Sequence, residues 1–581
     1  MAPSGRPRGI GCHPSGSMQL LIERSRALYQ PHTRQHRAGL DENSQARTRR
    51  LSSAPEVGVW VTAVAAVRRA RMVEREWVLT LGYGVLLTLL AAAVRLVAVG
   101  DVPFGLHGDE ALTGLDAQRV LAEGWIGPYV YPSGLGQPAG PLYWVALVFA
   151  VCGASMATLR AAIAVLGIAT VTLTYAVALQ WFSRPVAVIA AFLLAVMPWH
   201  FHLSRTGYMV ASWPLVTMAA CWLIAHAWRR DAHWGWSALA GLVAGLGVYT
   251  YNAYPITFVF YGALFLALLA HERVVAWKLR LLIFWLVVVA TASGMVAWAV
   301  AHPVEYLTRS RGLLLFNSEP WLAASDWGTR LCLFWTEVDH FVVGLTLGGR
   351  PDVGDALSAP GFPPVNPVVT VAAAVGVVMA WRHKRHWPSR VLCAAVAIFP
   401  WGALLTVGAG GDYRRTLALA PFLAMLAALP LAAVWRTQRA GWTAALGAGL
   451  ALVAAVDVLR YPAALATPEG EHVYAPELRL AAEYIATLPP DVQINFFADR
   501  WSVHYETLRF LVGDLDQAHN RSREFREEGE SAWDGVTPPA VEIFLGRYLP
   551  WARRAEDRWP GGHAREFVWG DRVCMRTYQI E

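Results

Sequence analysis

Apolar runs of about 20 residues, the length a helix needs to cross the hydrocarbon core of a bilayer, recur in this chain from Trp77 to Asp457. Such a chain has few folds open to it. In lipid every backbone polar group must be satisfied internally, so the runs must be helices. Composition agrees. Charged residues are 16% of the chain, against roughly a quarter in a soluble protein. The net charge of +7 does not call for nucleic acid, because membrane proteins gather Lys and Arg in their cytoplasmic loops. The fold class is a mainly α, polytopic membrane protein embedded in a lipid bilayer.

The first run, about 77–99, follows Arg68, Arg69, Arg71 and Arg75. Its start is therefore expected in the cytoplasm. Later runs fall near 158–181, 186–201, 209–228, 236–253, 255–271, 280–301, 366–381, 390–409, 415–435 and 441–458. The links holding Arg184, Arg229-Arg230, His271–Arg280, Arg382–Arg390 and Arg436–Arg439 are basic. They share one side only if the short apolar stretch 141–153 dips into the membrane and returns. The expectation is about eleven crossings, the N-terminus inside and the C-terminus outside.

Three regions follow. Residues 1–75 are rich in Arg, Ser, Pro and Gly and read as a cytoplasmic tail without order, or as a start placed upstream of a true initiator at Met72. Residues 76–459 form the membrane domain, with outer loops at 100–157 and 302–365. Stretches Leu331–Thr336 and Phe341–Leu347 in the second loop could lie along the interface. Residues 460–581 form a small extracytoplasmic α/β domain. Helices are expected at Ala475–Leu488 and His504–Val512, and strands at Val492–Phe497 and Val541–Leu545. The six cysteines lack metal-ligand spacing; a Cys332–Cys574 disulfide would lie outside the cytoplasm.

Four motifs meet the same outer face. Asp109-Glu110 follows the first run, and two adjacent carboxylates there cost free energy unless they bind something or react. The bland alternative is a solvated pair favoured by a helix N-terminus. His200 and His202 lie in His200–Arg205, where Arg205 could fork onto phosphate oxygens; an interfacial anchor explains the same segment. Tyr249, Tyr251 and Tyr254 could stack on a sugar, or belong to an aromatic belt. Asp412 precedes Arg414 and Arg415, two cations at the positive end of a helix, where a bound anion would resolve the conflict. Together these carboxylates, imidazoles, aromatics and guanidiniums suit a phosphate-linked sugar on a lipid.

The order of these pieces resembles the polytopic GT-C glycosyltransferases, in particular the protein O-mannosyltransferase and aminoarabinose transferase group. The resemblance covers about 77–435. It rests on His107-Gly108-Asp109-Glu110-Ala111, Gly140-Pro141-Leu142-Tyr143-Trp144, Arg160, Phe182-Ser183-Arg184 and the segment from Pro198 to Arg205. It implies that Asp109 is the catalytic base toward an acceptor hydroxyl or amine, with inversion at the anomeric carbon. Glu110 would assist or bind a divalent cation. Arg205 and Arg414 or Arg415 would hold the leaving phosphate. His200, His202, Tyr249, Tyr251, Tyr254 and Asp412 would line the substrate groove. The donor would be a polyprenyl-phosphate monosaccharide and the acceptor an extracytoplasmic lipid, glycan or protein. No metal ligand set and no fixed cofactor is implied, since cation dependence varies across the family. Tyr254 stands where many relatives carry Arg, and Asp412 where a His is expected.

Two other classes use the same inventory: a transporter or flippase of a lipid-linked substrate, and a non-catalytic membrane scaffold. Transporters often show repeated halves, and no repeat is visible here.

Overall fold

The computed structural model describes residues 55–131, 136–348, 363–407, 413–515, 518–521 and 533–581, with side chains from Glu76 onward except at Glu469. Most of the expected N-terminal tail, Asp412 and part of loop 302–365 lie outside the described residues. The chain separates into two compact units, Met1–Val78 and Leu79–Glu581.

Apolar helices stand in each of the expected spans. Seven have membrane-crossing length: the Glu76–Leu96 part of α1 (Pro55–Leu96), α4 (Met156–Trp181), α7 (Ser212–Ala227) with its preceding turn, α10 (Trp277–Ala301), α14 (Trp387–Ile398) with the turn after it, α15 (Ala420–Arg436) with the turn before it, and α16 (Ala440–Leu459) with the helix that follows. An eighth span is the pair α5 (Arg184–Val196) and α6 (Pro198–Arg205), bent by 53°. Pro198 explains the break, because it cannot donate to the ladder and clashes with the preceding turn. Three spans are shorter: α8 (Gly235–Leu246) with its terminal turn, α9 (Ile256–Leu269) and α13 (Pro367–Arg382). The protein is a multi-pass membrane protein.

Segment 141–153 is one 13-residue helix, α3 (Gly140–Cys152). At 1.5 Å per residue it spans roughly 20 Å, less than the ~30 Å core. It packs on α2 (Gly108–Glu123) and α4. A two-residue β-ribbon, β1 (Tyr129–Val130) and β2 (Gln137–Pro138), joins α2 to α3. Within loop 302–365, α11 (Pro303–Leu313) precedes the 21-residue α12 (Trp327–Leu347), which unites both apolar stretches expected there.

Small residues set the helix crossings, as they do where lipid removes the hydrophobic drive between helices. A Cβ on Gly241 would lie 2.4 Å from the Phe284 carbonyl, and one on Gly245 2.7 Å from Thr291. This Gly-x-x-x-Gly face lets α8 press on the backbone of α10. Alanines 187, 190, 191 and 195 of α5 are likewise buried in the core, where α5 packs on the alanine-rich α15.

After α17 (Pro468–Tyr474) the C-terminal domain is a five-stranded sheet in the order β4-β3-β5-β7-β6. β3 (Gln493–Phe497) is parallel to β4 (Ala518–Asn520) and β5 (Ala540–Leu545), whereas β7 (Arg572–Ile580) runs antiparallel to β5 and β6 (His563–Trp569). Alternation decides the faces. Ile494, Phe496, Val541 and Ile543 meet α18 (Pro476–Ile485) and α19 (Glu506–Val512). Phe497, Phe544 and Tyr578 meet α20 (Trp551–Arg558) on the reverse. Both expected helices and both expected strands are present, within two residues at every end except the first helix's C-terminus, which stops at Ile485, three residues early. Cys332 and Cys574 are free thiols.

This domain is bolted to the loop that precedes α2. Arg479 of α18 donates to the carbonyls of Gly100 and Phe104, pairs with Asp101 at 3.1 Å, and lies over the Phe104 ring. Phe104 stacks on Trp569 with centroids 3.8 Å apart. The Thr507 hydroxyl donates to the Leu106 carbonyl at 3.0 Å.

Candidate active site

The first turn of α2 is fixed from its own sequence. His107 caps the helix: its Nδ1 accepts from the Asp109 N–H at 3.0 Å, and its own N–H reaches Glu110 Oε1 at 3.4 Å. A capping box of this kind satisfies two orphan donors at once. It also sets Asp109 and Glu110 on different sides of the turn, since neighbours on a helix do not face each other.

Glu110 points inward and is fully buried. It accepts from Arg160 Nε at 2.9 Å and from the Gly207 N–H at 2.7 Å. Arg160, also fully buried, spends its remaining donors on Glu110 Oε1 at 3.2 Å and on the carbonyls of Pro103 and Gly105, both at 2.6 Å. Both charges are thus paired and hydrogen-bonded, the condition under which burial is tolerated. The pair ties the loop before α2 to α4.

Asp109 points the other way and is about half exposed, with a side-chain accessibility of 48%. Its Oδ2 accepts from Arg414 Nη1 at 2.8 Å, across 305 residues of chain. Arg414 lies over the Tyr208 ring at 5.4 Å, and Tyr208 lies 5.6 Å from His107. Burial alone would raise the Asp109 carboxyl, but the charges of Arg414, His107 and Arg309 hold it below its ordinary value. Arg309, on α11, is near enough for its charge to act on Asp109. From the C-terminal domain, Tyr505 closes one wall. A Cβ on Gly108 would fall 2.3 Å from its hydroxyl, so any larger residue there would have to displace Tyr505. Burial, then the charges of Glu506 and Asp109, push the Tyr505 hydroxyl up.

The other expected site residues divide. Arg415 lies beside Arg414 and donates to the Val407 carbonyl at 3.3 Å. Tyr251 stacks on Trp213 at 5.7 Å. Tyr249 hydrogen-bonds the Thr291 carbonyl at 2.9 Å, inside the α8–α10 contact. Tyr254 is buried, its hydroxyl on the Ala244 carbonyl and Tyr261. His200 is buried against Arg95 at 2.7 Å, and His202 is buried between Tyr461 at 2.6 Å and Tyr474 at 3.2 Å. Arg205 reaches the carbonyls of Val94, Val97, Ala98 and Val102. That fan of bonds serves the orphan carbonyls at the C-terminal end of α1, a cation on the negative pole of a helix. His200, His202 and Arg205 all lie on α6, beyond the 53° bend at Pro198, where every residue of the helix is buried. The structure thus gathers Asp109 and Arg414, with Arg415 alongside. It adds His107, Tyr208, Arg309 and Tyr505, which sequence reasoning had missed. His107 alone carried a readable signal, as the residue opening the capping box.

A cation at Glu110 does not fit this arrangement. Both carboxylate oxygens are occupied by Arg160 or Gly207, and Arg414 lies on Asp109. Among the described residues no three His, Cys, Asp or Glu side chains converge.

Residues 136–298, well under half of the chain, match the family model of dolichyl-phosphate-mannose-protein mannosyltransferases. No curated protein matches in sequence. Among solved structures, ArnT from Cupriavidus metallidurans bound to undecaprenyl phosphate has a TM-score of 0.52 at 13% identity, over 86% of this chain and 97% of ArnT. ArnT in the apo state gives 0.52 at 14% identity with the same coverage. The chain has a GT-C fold. The archaeal oligosaccharyltransferase AglB from Archaeoglobus fulgidus, in complex with an inhibitory peptide and a dolichol-phosphate, matches at a TM-score of 0.46 and 16% identity, over 76% of this chain and 64% of AglB. The GT-C resemblance read from the motifs holds.

Proposed function

We propose that this protein transfers a sugar from a polyprenyl-phosphate donor to an extracytoplasmic acceptor, with inversion. One observation carries the reading: of two adjacent carboxylates, Glu110 is sealed by Arg160, while Asp109 stays half exposed beneath Arg414. Asp109 is the base and Glu110 a positioning residue.

In this reading the acceptor O–H or N–H attacks the anomeric carbon from the face opposite the phosphate. Its proton passes to Asp109. The bond from the anomeric carbon to the phosphate oxygen breaks, and polyprenyl phosphate leaves with the electron pair. Arg414 and Arg309, with Arg415 alongside, stabilise the charge on that phosphate. Preorganised cations at a developing charge are the largest electrostatic aid available here. Arg414 serves two anions in turn. When the phosphate arrives it draws the guanidinium off Asp109, which raises the basicity of the carboxylate as the acceptor is engaged. Arg205, buried on the end of α1, is assigned to holding α6 rather than to the donor. The reading supports a site end facing away from the cytoplasm, as the basic links at the opposite end suggest.

The test uses the full chain purified into bilayers and supplied with polyprenyl-phosphate sugars, nucleotide sugars and an acceptor extract. The expected result is release of polyprenyl phosphate, with the sugar linked in the opposite anomeric configuration. Use of nucleotide sugars alone, or retention of configuration, would overturn the reading.

A further inference from the structure

The C-terminal sheet contains a topological switch point. From β3 the chain passes to β4 on one side, and from β4 it returns to β5 on the other. The two parallel neighbours therefore send their following loops apart and leave a crevice at their carboxyl ends. Ligands of open α/β sheets bind in such crevices. A cavity of about 260 Å³ lies at this place, bordered by Asp499 and Trp501 after β3 and by Gly546 and Leu549 after β5. Small-molecule sites begin at about 300 Å³, so the cavity suits one compact, ring-sized group.

Its wall chemistry narrows the class. Glu471 is paired with Arg572, and Glu477 accepts from the Trp501 indole N–H at 2.7 Å. Arg500 lies over the Trp501 ring at 4.3 Å and donates to the His472 carbonyl at 2.8 Å. Asp499 takes no hydrogen bond from the described residues, and it lines the cavity. Gly546 keeps this carboxylate in place: its φ is +56°, and a Cβ there would lie 2.2 Å from Asp499 Oδ1. Three carboxylates argue against a phosphate, and two guanidiniums argue against a free cation. Hydroxyl groups both donate and accept, so they can satisfy a wall of both signs. Leu545, Leu549 and Val573 give the same cavity an apolar side for C–H groups.

We propose that this crevice binds a neutral carbohydrate ring, with Asp499 and Glu477 accepting from its hydroxyls. The site is joined to the bundle: Trp501 packs on Tyr505 at 4.8 Å, and Tyr505 presses on Gly108 beside Asp109. On the proposed transfer reaction the bound ring belongs to the acceptor, which the crevice would hold while a more distant hydroxyl reaches Asp109. That assignment rests on the transfer reading, whereas the binding does not.

The test is isothermal titration of the full chain in lipid nanodiscs with neutral trisaccharides of glucose, mannose and xylose, without donor. Saturable binding by at least one of them is expected. Asp499→Asn should weaken it about tenfold or more, the loss of one charge-assisted hydrogen bond, and Glu477→Gln should weaken it in the same direction. Absence of saturable binding by all three, or binding indifferent to both Asp499→Asn and Glu477→Gln, would overturn the proposal. Failure of sugar transfer leaves the isotherm intact, so the two readings fail separately.

Discussion

Asp109→Asn should lower the rate of sugar transfer by about 10²–10⁴-fold, the usual contribution of a positioned general base. The substitution keeps the size of the side chain and its place in the first turn of α2, so folding should survive it. What is lost is the only proton acceptor at the mouth that is both charged and half exposed among the site residues described. The pH profile supplies a second readout. Because Arg414, His107 and Arg309 hold the carboxyl below its ordinary value, Asp109 is ionised in the free protein from neutral pH down past the normal carboxylate range, about 4. The acid limb of kcat/KM, which reports the free enzyme, should therefore lie below that value. In Arg414→Met it should move up, toward neutrality, because the largest lowering charge is gone. A variant Asp109→Asn that retains activity within tenfold would remove Asp109 from the chemistry.

The second large effect is on stability. Arg160→Met should destabilise the fold by about 3–5 kcal/mol, the cost of leaving one member of a buried ion pair without its partner. Here the orphan is Glu110, which keeps only the Gly207 and His107 N–H donors. The carbonyls of Pro103 and Gly105 lose their donors as well. Glu110→Gln in the same chain should recover part of the loss, because it removes the unpaired charge. The measurement is thermal unfolding of the three variants in one detergent, read as a double-mutant cycle. Equal stability of Arg160→Met and wild type would show that the pair does not hold the site. Activity follows from the same geometry: once the loop before α2 is released, Asp109 and Arg414 no longer have a fixed separation.

The two carboxylates also show what could be read from the chain. Their adjacency after the first apolar run marked the site, and the helix start was visible in the acidic first turn. That one of them faces the protein was not visible, because Arg160 is 50 residues away. The membrane spans were legible because hydropathy alone nearly dictates them. The same rule put His200, His202 and Arg205 on the outer face as groove or phosphate contacts; it could not show that, beyond the 53° bend at Pro198, they are buried against Arg95, the end of α1, Tyr461 and Tyr474. In the C-terminal domain, β3 and β5 were legible as short apolar runs. The hairpin of β6 and β7 was not, although Gly570-Asp571 between them is a recognised turn pair. Charges at Arg565, Glu566, Arg572 and Arg576 hid the alternation. Arg309 and Tyr505 had no local signal, since each gains meaning only from Asp109, some 200 and 400 residues earlier in the sequence.

The most direct measurement is a structure of the chain with a polyprenyl phosphate bound. The account predicts the phosphate beside Arg414 and Arg309, with Arg414 drawn from Asp109 onto the phosphate oxygens and Glu110 still sealed by Arg160. A phosphate bound elsewhere, with the Asp109–Arg414 pair undisturbed, would contradict it.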